Sequence, residues 1–584
     1  MSSSRALRAL PRRLQGLPKA HPSQQTASTR SLATICVEEK DPAELDQVTT
    51  LPNGLRVATE ALPGHFAGVG VYIDAGSRYE NESLRGASHI VDRLALKSTK
   101  ARTSDQMLES IESLGGNIQC ASSRESLMYQ SATFNSAVPT TLALLAETIR
   151  QPLVTDEELE SQLATAEYEI GEIWSKPELI LPELVHMAAY NGNTLGNPLL
   201  CPKDRLDKIN RSTIETYLKT LYKPERMVVA FAGVDHSDAI RLVEDYFGDM
   251  KNGEGPSLPS PSELQAHLAS LQGQPSDHAQ NPASTNTAKT STGLPVQEPS
   301  RLLSKIPFLK NLSTSATVKA SVNPLFDIST PTPDQLAAPS HYTGGFLALP
   351  TIPPPMNPNL PRLSHINLAF EALSIESPDI YALAILQILL GGGGSFSAGG
   401  PGKGMYSRLY TNVLNQNIWV ENCVAFNNSY TDSGVFGISA SCMPGQIREM
   451  LEVMCRELDA LSHEHGYKAL KAQEVQRAKN QLRSSLLMNL ESRMVGLEDL
   501  GRQVQVHGRK VGVKEMCRKI EEVSIQDLRR VAREVFSGQV YNKGQGTGAP
   551  TVVIQEGDME GLKRKDFGWQ EIQERIARHK LGRR

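Results

Sequence analysis

Alternating apolar residues in the first part of the chain predict short strands that are covered by helices. Residues 49–60 read as a hairpin arm with a turn at Asn53-Gly54, and Val69, Val71 and Ile73 alternate with smaller residues as in a half-buried strand. The pattern predicts, in order, helices from about Gly86 and over 104–114, a Gly115-Gly116 turn, strands through Phe134, helices over 137–150 and 155–175, and a strand over 227–232 closed by Gly233.

A second run of elements repeats that order after residue 340. Ile366, Leu368 and Phe370 alternate as a strand, and a strongly apolar helix follows over 379–390. The other predicted elements are a helix over 405–414, strands over 419–441 with a turn at Asp432-Ser433-Gly434, helices over 445–462, 468–490 and 524–536, and a strand over 551–555. Repeats of this length indicate an α+β protein with two duplicated domains, at 45–251 and 341–584.

The segment between the repeats, residues 252–340, is rich in Pro, Ser, Thr, Gln, Asn and Ala. Such a composition cannot bury enough apolar surface to offset the entropy of ordering the chain. We therefore expect an insert or linker that is mostly disordered, in which the more apolar stretch 302–312 docks locally at most.

The first 31 residues predict a mitochondrial transit peptide. They contain six basic residues and no acid, and Leu7, Leu10 and Leu14 recur at helical spacing. The alternative is a basic tail that binds nucleic acid. Arg30 precedes two plausible cleavage points, after Ser31 or after Leu32. Cleavage would change the formal net charge from −4 to about −10 and leave a body that attracts basic partners.

Composition excludes several other classes of protein. No apolar stretch is long enough to cross a membrane, and no nucleic-acid motif stands out in the body of the chain. The seven cysteines are scattered without a CxxC pair, which favours free thiols in a reducing compartment over a disulfide framework or a structural zinc site.

The helix that begins near Gly86 carries a damaged metal motif. In the inverted zinc-protease pattern His-x-x-Glu-His, two histidines on one helix face bind the metal and the glutamate activates water. Here His89 holds the first ligand position, Asp92 replaces the glutamate and Arg93 replaces the second histidine. A guanidinium has no lone pair for a metal and stays protonated, so we expect no metal at this position.

The context of this helix resembles the pitrilysin-like (M16) metallopeptidase family, and within it the branch of processing peptidases. The resemblance covers nearly the whole chain apart from the first residues and the insert. It rests on Asn53-Gly54-Leu55, Gly76-Ser77-Arg78, Gly86-x-x-His89, 94–99, Leu114-Gly115-Gly116, 186–190 and 222–227. It implies two homologous M16-type α/β domains arranged as half of a clam shell.

The resemblance also implies where the third metal ligand would stand. In active members a glutamate follows the second histidine by about 76 residues, and counting from Arg93 reaches Glu169. We predict that Arg93 fills the volume of the metal and pairs with Glu169. Asp92 is a further candidate partner of Arg93. A carboxylate that is buried beside a lost metal needs such a cation.

A loop with eight glycines in fourteen residues, 391–404, is the second unusual segment. It fails the phosphate-loop and dinucleotide patterns and follows a helix where those motifs follow a strand. Such a loop lets a peptide backbone approach closely, although a plain linker would also fit. The predicted substrate-binding residues are Gly391, Gly392, Gly393, Gly394, Ser395, Phe396, Gly399, Gly400, Gly402, Lys403 and Gly404.

Within the family, this loop and the following 405–410 resemble the non-catalytic subunits of processing peptidases. The resemblance implies a mitochondrial matrix protein that binds presequence-bearing precursor polypeptides, has no cofactor of its own and pairs with a catalytic beta subunit that holds zinc. Glu491, Arg493 and 499–503 resemble the family on a helix that faces either the partner or solvent.

Two other functions remain open at this stage. One is a structural core subunit of the respiratory cytochrome bc1 complex at the inner membrane, for which the glycine loop would be unnecessary. The other is an active stand-alone M16 peptidase, against which Arg93 argues.

Overall fold

The computed structural model describes residues 46–272, 328–352, 361–394, 405–466, 468–558 and 567–583. Its strands are β1 (Asp46–Thr50), β2 (Arg56–Glu60), β3 (Phe66–Ile73), β4 (Asn117–Ser122), β5 (Leu127–Phe134), β6 (Met227–Ala232), β7 (Gly345–Ile352), β8 (Ser364–Ala372), β9 (Gly392–Gly394), β10 (Val420–Ser429), β11 (Gly434–Cys442) and β12 (Thr551–Gly557).

The helices of the first half and of the segment that follows it are α1 (Ala87–Leu94), α2 (Ser104–Ser113), α3 (Val138–Arg150), α4 (Asp156–Trp174), α5 (Pro177–Tyr190), α6 (Lys203–Leu206), α7 (Arg211–Leu221), α8 (His236–Phe247), α9 (Pro261–Gln272) and α10 (Pro333–Leu336). The second half contributes α11 (Ile380–Leu390), α12 (Ile447–Asp459), α13 (Ala472–Leu490), α14 (Arg493–His507), α15 (Val513–Glu522), α16 (Ile525–Phe536) and α17 (Trp569–Arg578). Among the described helices, none has the length and apolar composition needed to cross a membrane.

Local sequence explains where the long helices begin. The Thr155 hydroxyl accepts the Glu158 N–H at the start of α4, and the Glu158 carboxylate accepts the Thr155 N–H in return. Ser524 and Asp527 exchange the same pair of bonds at the start of α16. Each capping box satisfies amide groups that a helix start leaves without partners, and it fixes the first residue of the helix.

Each half of the chain forms one mixed sheet of six strands. The strand order is β1-β2-β6-β3-β5-β4 in the first sheet and β7-β12-β8-β11-β10-β9 in the second. Both contain a single parallel pair, β2 with β6 and β7 with β12. Five strands therefore correspond between the sheets, which confirms the predicted duplication. The second sheet adds β9 on the edge that β4 closes in the first sheet, and the first sheet adds β1 on its opposite edge.

Helices cover both faces of each sheet, which explains why the central strands are buried on both sides. Residues of β3 from Ala67 to Ile73 are all buried, as is every residue of β6 and β8. One face of the first sheet forms a core with α1, α3, α7 and α8, and one face of the second forms a core with α11, α12 and α16.

The helix on the opposite face of each sheet comes from the other half of the chain. Leu497, Leu500 and Val504 of α14 pack on Tyr72 and Ala230 of the first sheet. In the second sheet, Ala369, Val435 and Val553 pack against α5. The predicted helix around 491–503 thus packs one face on its own chain, while Glu491 and Arg502 stay exposed on its other side.

Arg78 joins the two halves through polar contacts. Its guanidinium donates to Asp432 Oδ2 at 2.7 Å and to Thr431 Oγ1 at 3.0 Å, and it also pairs with Glu125. The Arg78 and Asp432 side chains are only 7% and 8% exposed. Burial alone would lower the pKa of Arg78, but the Glu125 and Asp432 carboxylates raise it above its ordinary value. This contact, which we call the Arg78 bridge, links the short 3-10 helix Ser77–Tyr79, which follows β3, to the β10–β11 turn.

The structure differs from the sequence predictions at 405–414 and at the two ends of the insert. The predicted helix over 405–414 is a π-helix turn at Tyr410–Leu414. Both described ends of the insert carry structure where disorder was expected, since Leu258, Ile328 and Leu336 pack on the first core. The predicted transit peptide and the centre of the insert at 273–327, which includes the stretch 302–312, lie outside the described residues.

Candidate functional site

The helix that carries the damaged metal motif is held at its start by a buried acid. Gly86 caps α1 in the left-handed conformation, with φ of 87°. Glu80 accepts the N–H groups of Gly86 at 2.8 Å and Ser88 at 2.6 Å. Burial raises the pKa of Glu80 to about 7. Because these bonds fix the first turn of α1, the next turns present His89 and Arg93 at defined positions.

Arg93 forms an ion pair with Glu169, the carboxylate that the family resemblance implies. Its Nε donates to Glu169 Oε2 at 2.9 Å, and the two side chains are 38% and 31% exposed. Asp92 does not join this pair, because its Oδ2 accepts the Ser122 N–H and hydroxyl, each at 3.0 Å. The ion pair therefore links α1 to α4, while Asp92 links α1 to the end of β4.

His89 is held in a form that does not suit a metal ligand. The Cys201 N–H donates to His89 Nδ1 at 3.2 Å, and burial lowers the pKa of the imidazole so that it stays neutral. A neutral ring that accepts at Nδ1 carries its proton on Nε2, the nitrogen that faces Glu169 at 3.4 Å. Zinc, which the family implies, does not fit a protonated Nε2 and a guanidinium.

We expect the Arg93→His variant to bind much less than one zinc ion per chain, although the substitution restores a histidine at the second ligand position. The Cys201 N–H would still hold the proton on His89 Nε2, and metal ligands must be deprotonated. Titration calorimetry with zinc chloride on the wild-type and variant chains measures this. Tight stoichiometric binding by Arg93→His would show that Arg93 alone closes the site, and binding by the wild type would contradict both obstacles.

The glycine-rich segment begins as the edge of the second sheet. Gly391 ends α11 with φ of 56°, and Gly392, Gly393 and Gly394 pair antiparallel with Val424, Cys423 and Asn422. The prediction of a loop over 391–404 is therefore wrong for this first part, because β10 offers backbone partners to it. Ser395, Phe396, Gly399, Gly400, Gly402, Lys403 and Gly404 lie outside the described residues.

The described glycines differ in whether the surrounding structure has room for a side chain. At Gly391 a Cβ would approach the Ser407 side chain at 2.5 Å, and at Gly392, with φ of 103°, it would overlap the carbonyl oxygen of Cys423. At Gly394 the nearest atom is the carbonyl oxygen of Glu421 at 4.0 Å. Packing thus requires glycine at 391 and 392 but leaves room for a side chain at 394.

The predicted site residues fall into two groups that lie in different halves of the fold. His89, Arg93 and Glu169 lie together, while the glycines stand on the edge of the other sheet. Sequence reasoning missed the roles of Cys201 and Ser122, for which the chain gives no local signal. Glu172 could have been found, because it follows Glu169 by three residues on the same helix face.

Profiles of two domain families match most of the chain. The family described as insulinase (peptidase family M16) matches residues 56–203. The family described as the peptidase M16 inactive domain matches residues 208–303 and 300–482. A protease from Helicobacter pylori has a similar structure, with a TM-score of 0.62 over 88% of this chain and 99% of that one. At 17% sequence identity this likeness shows the fold alone.

Closer sequence relatives share one description. The Neurospora crassa protein described as mitochondrial-processing peptidase subunit alpha is 61% identical over 561 residues, which are 95% of each chain. A Schizosaccharomyces pombe protein described as a probable subunit of the same kind is 40% identical over 90% of each chain. The human subunit alpha is 34% identical over 89% of this chain and 85% of that protein.

Proposed function

Because this chain belongs to the M16 peptidase family, in the group of mitochondrial-processing peptidase alpha subunits, we propose that it binds substrates that a partner subunit cuts. The single observation that supports a non-catalytic role is the hydrogen bond from Arg93 Nε to Glu169, at the position where active members would hold the metal. His89 supports it, since its Nε2 carries a proton and offers no lone pair.

The proposed substrate is the presequence of an imported precursor, and the proposed place is the mitochondrial matrix. A catalytic beta subunit would bind zinc and supply the glutamate that activates water. This chain would contribute the glycine-rich segment 391–404, in which Gly394 occupies a position that tolerates a side chain but has none. An edge strand without side chains lets an extended peptide approach its backbone, whatever the sequence of that peptide.

Neither alternative function gains support from these observations. The relatives named above are alpha subunits of processing peptidases, and a structural core subunit of a respiratory complex would have no use for the glycine-rich segment. A stand-alone peptidase would need a second metal ligand in place of Arg93.

Replacing residues 395–404 with ten residues of Ser, Thr and Asn should weaken presequence binding about tenfold, or about 1.4 kcal/mol. The replacement starts after Gly394 because Gly391 and Gly392 are needed for packing. Fluorescence anisotropy with a labelled peptide of residues 1–31 of this chain measures the affinity. Size-exclusion chromatography with the beta subunit measures the heterodimer, which should form as before.

The control is a replacement of the eight residues 559–566 with Ser, Thr and Asn, which should change neither quantity. If presequence affinity survives the replacement of 395–404, the glycine-rich segment has no part in recognition. If the heterodimer is lost, the segment belongs to the subunit interface.

A further inference from the structure

A cavity of about 470 Å³ opens beside the Arg93–Glu169 pair. Its walls come from α1, from the last turns of α4, from Ser122 at the end of β4 and from Leu199 and Leu200. We call it the α1–α4 cavity. It is large enough for one long side chain together with the adjoining peptide backbone.

A buried hydrogen-bond donor lies in the wall of the α1–α4 cavity, beside Glu169. His89 is only 3% exposed, and its Nε2 makes no hydrogen bond within the described residues, since the 3.4 Å approach to Glu169 lacks hydrogen-bond geometry. The bond from the Cys201 N–H fixes the proton on this nitrogen. A buried N–H without an acceptor raises the free energy of the folded chain. A ligand that offers an acceptor here, such as a peptide carbonyl oxygen, would remove that cost.

The charges around the α1–α4 cavity favour a cation. Asp92, Glu169 and Glu172 line it, and Arg93 is the one basic side chain in its described wall apart from His89. Arg93 is engaged by Glu169. Asp92 accepts hydrogen bonds from uncharged groups of Ser122 and Cys120, and Glu172 pairs with Lys176 at 3.4 Å on the open surface. Two carboxylates therefore remain without a full counter-charge.

Apolar atoms complete the wall. The Tyr168 side chain is 71% exposed at the rim, and Ile173, Leu199 and Leu200 line the inside. An arginine side chain has an apolar stem and a planar cation that stacks on aromatic rings. The combination of acids, an exposed tyrosine ring and apolar walls matches this side chain.

We propose that the α1–α4 cavity binds an arginine of an extended basic peptide, with Glu172 and Asp92 facing its guanidinium. His89 Nε2 donates to a backbone carbonyl of the same peptide, and Tyr168 covers the stem. The closed metal site thereby becomes a binding site for a substrate side chain. The source of the peptide, a presequence, rests on the proposed function, whereas the chemistry of the cavity does not.

The test uses the predicted mature chain, from residue 32 onward, and the labelled peptide of residues 1–31, which contains five arginines. Without the partner subunit, binding reports on this chain alone. Glu172→Gln should weaken binding about three- to fivefold, the range for one solvent-exposed ion pair. Adding Tyr168→Ala should bring the total loss to about tenfold.

Glu160→Gln is the matched control, because Glu160 is exposed on the same helix and outside the cavity. It should leave the affinity unchanged. A second peptide, in which neutral citrulline replaces each arginine, should bind the wild-type chain and Glu172→Gln equally well.

Equal weakening by Glu160→Gln would overturn the proposal, because it would indicate a general electrostatic effect and no specific site. Wild-type affinity in Glu172→Gln would overturn it as well. If replacement of 395–404 still weakens binding in that case, the proposed function stands and only the cavity proposal fails. If neither change has an effect, both proposals fail.

Discussion

Arg78→Ala should destabilise the folded chain by about 3–5 kcal/mol, because it removes the cation from a buried group of acids. Glu125 and Asp432 would keep their charges without a counter-ion, and Thr431 Oγ1 would lose a donor. We expect the thermal midpoint to fall by about 3–5 °C, because the unfolding entropy of so long a chain is about 1 kcal/mol per kelvin. Differential scanning calorimetry measures this shift.

Arg78→Lys should recover only part of this loss, since one ammonium cannot copy the planar fork that reaches several acceptors. The control is Arg518→Ala, which breaks a pair with Glu522 whose side chains are 60% and 58% exposed. That exposed pair should contribute no more than about 0.5 kcal/mol. A midpoint that falls no further in Arg78→Ala than in Arg518→Ala would show that the Arg78 bridge does not hold the halves together.

Gly392→Ala and Gly394→Ala should distinguish the role of these glycines in folding stability from their role in presequence binding. Alanine at 392 would meet the Cys423 carbonyl oxygen and take a φ of 103°, so we expect a loss of about 2–3 kcal/mol. Alanine at 394 meets only the Glu421 carbonyl oxygen, at 4.0 Å, and should change stability by less than about 0.5 kcal/mol. We expect it to weaken presequence binding all the same.

Hydrogen exchange of the β10 amides reports on the fold in both variants, and anisotropy with the 1–31 peptide reports on the ligand. Equal destabilisation by the two alanines would mean that position 394 is also constrained by packing. Unchanged peptide affinity in Gly394→Ala would place the edge strand outside the binding surface.

Most strands and many helices could be predicted from local patterns. The alternation at Val69, Val71 and Ile73 lies in β3, and the helix predicted over 155–175 is α4. Such elements carry their own signals in apolar spacing and in capping residues such as Thr155. The same patterns revealed the duplication, because the order of elements repeats.

The exchange of α5 and α14 between the halves could not be predicted. Apolar residues such as Leu184 and Leu497 show that a helix is buried but not which sheet covers it. The strand Gly392–Gly394 was missed for a different reason. Three glycines have no β propensity, and only the partner β10 makes them a strand.

The candidate site divides in a similar way. The pairing of Arg93 with Glu169 followed from the family resemblance, which implies a ligand glutamate about 76 residues after the second histidine position, and from charge, because a lost metal leaves a carboxylate that needs a cation. The tautomer of His89 depends on the Cys201 N–H, which is 112 residues away and brought close only by the fold. The α1–α4 cavity depends on the same tertiary arrangement.

The exchanged helices also set the order in which this chain can mature. The first sheet needs α14 to cover Tyr72 and Ala230, and contacts such as that of Arg56 with the Val504 carbonyl span 448 residues. During synthesis from the N-terminus, the first half must wait for most of the second, and such long-range closure slows folding. A nascent chain of this kind stays unfolded until most of it has been synthesised. An unfolded chain can pass through a membrane channel, which suits import into the mitochondrial matrix proposed above. It also means that neither half should be stable when it is expressed alone.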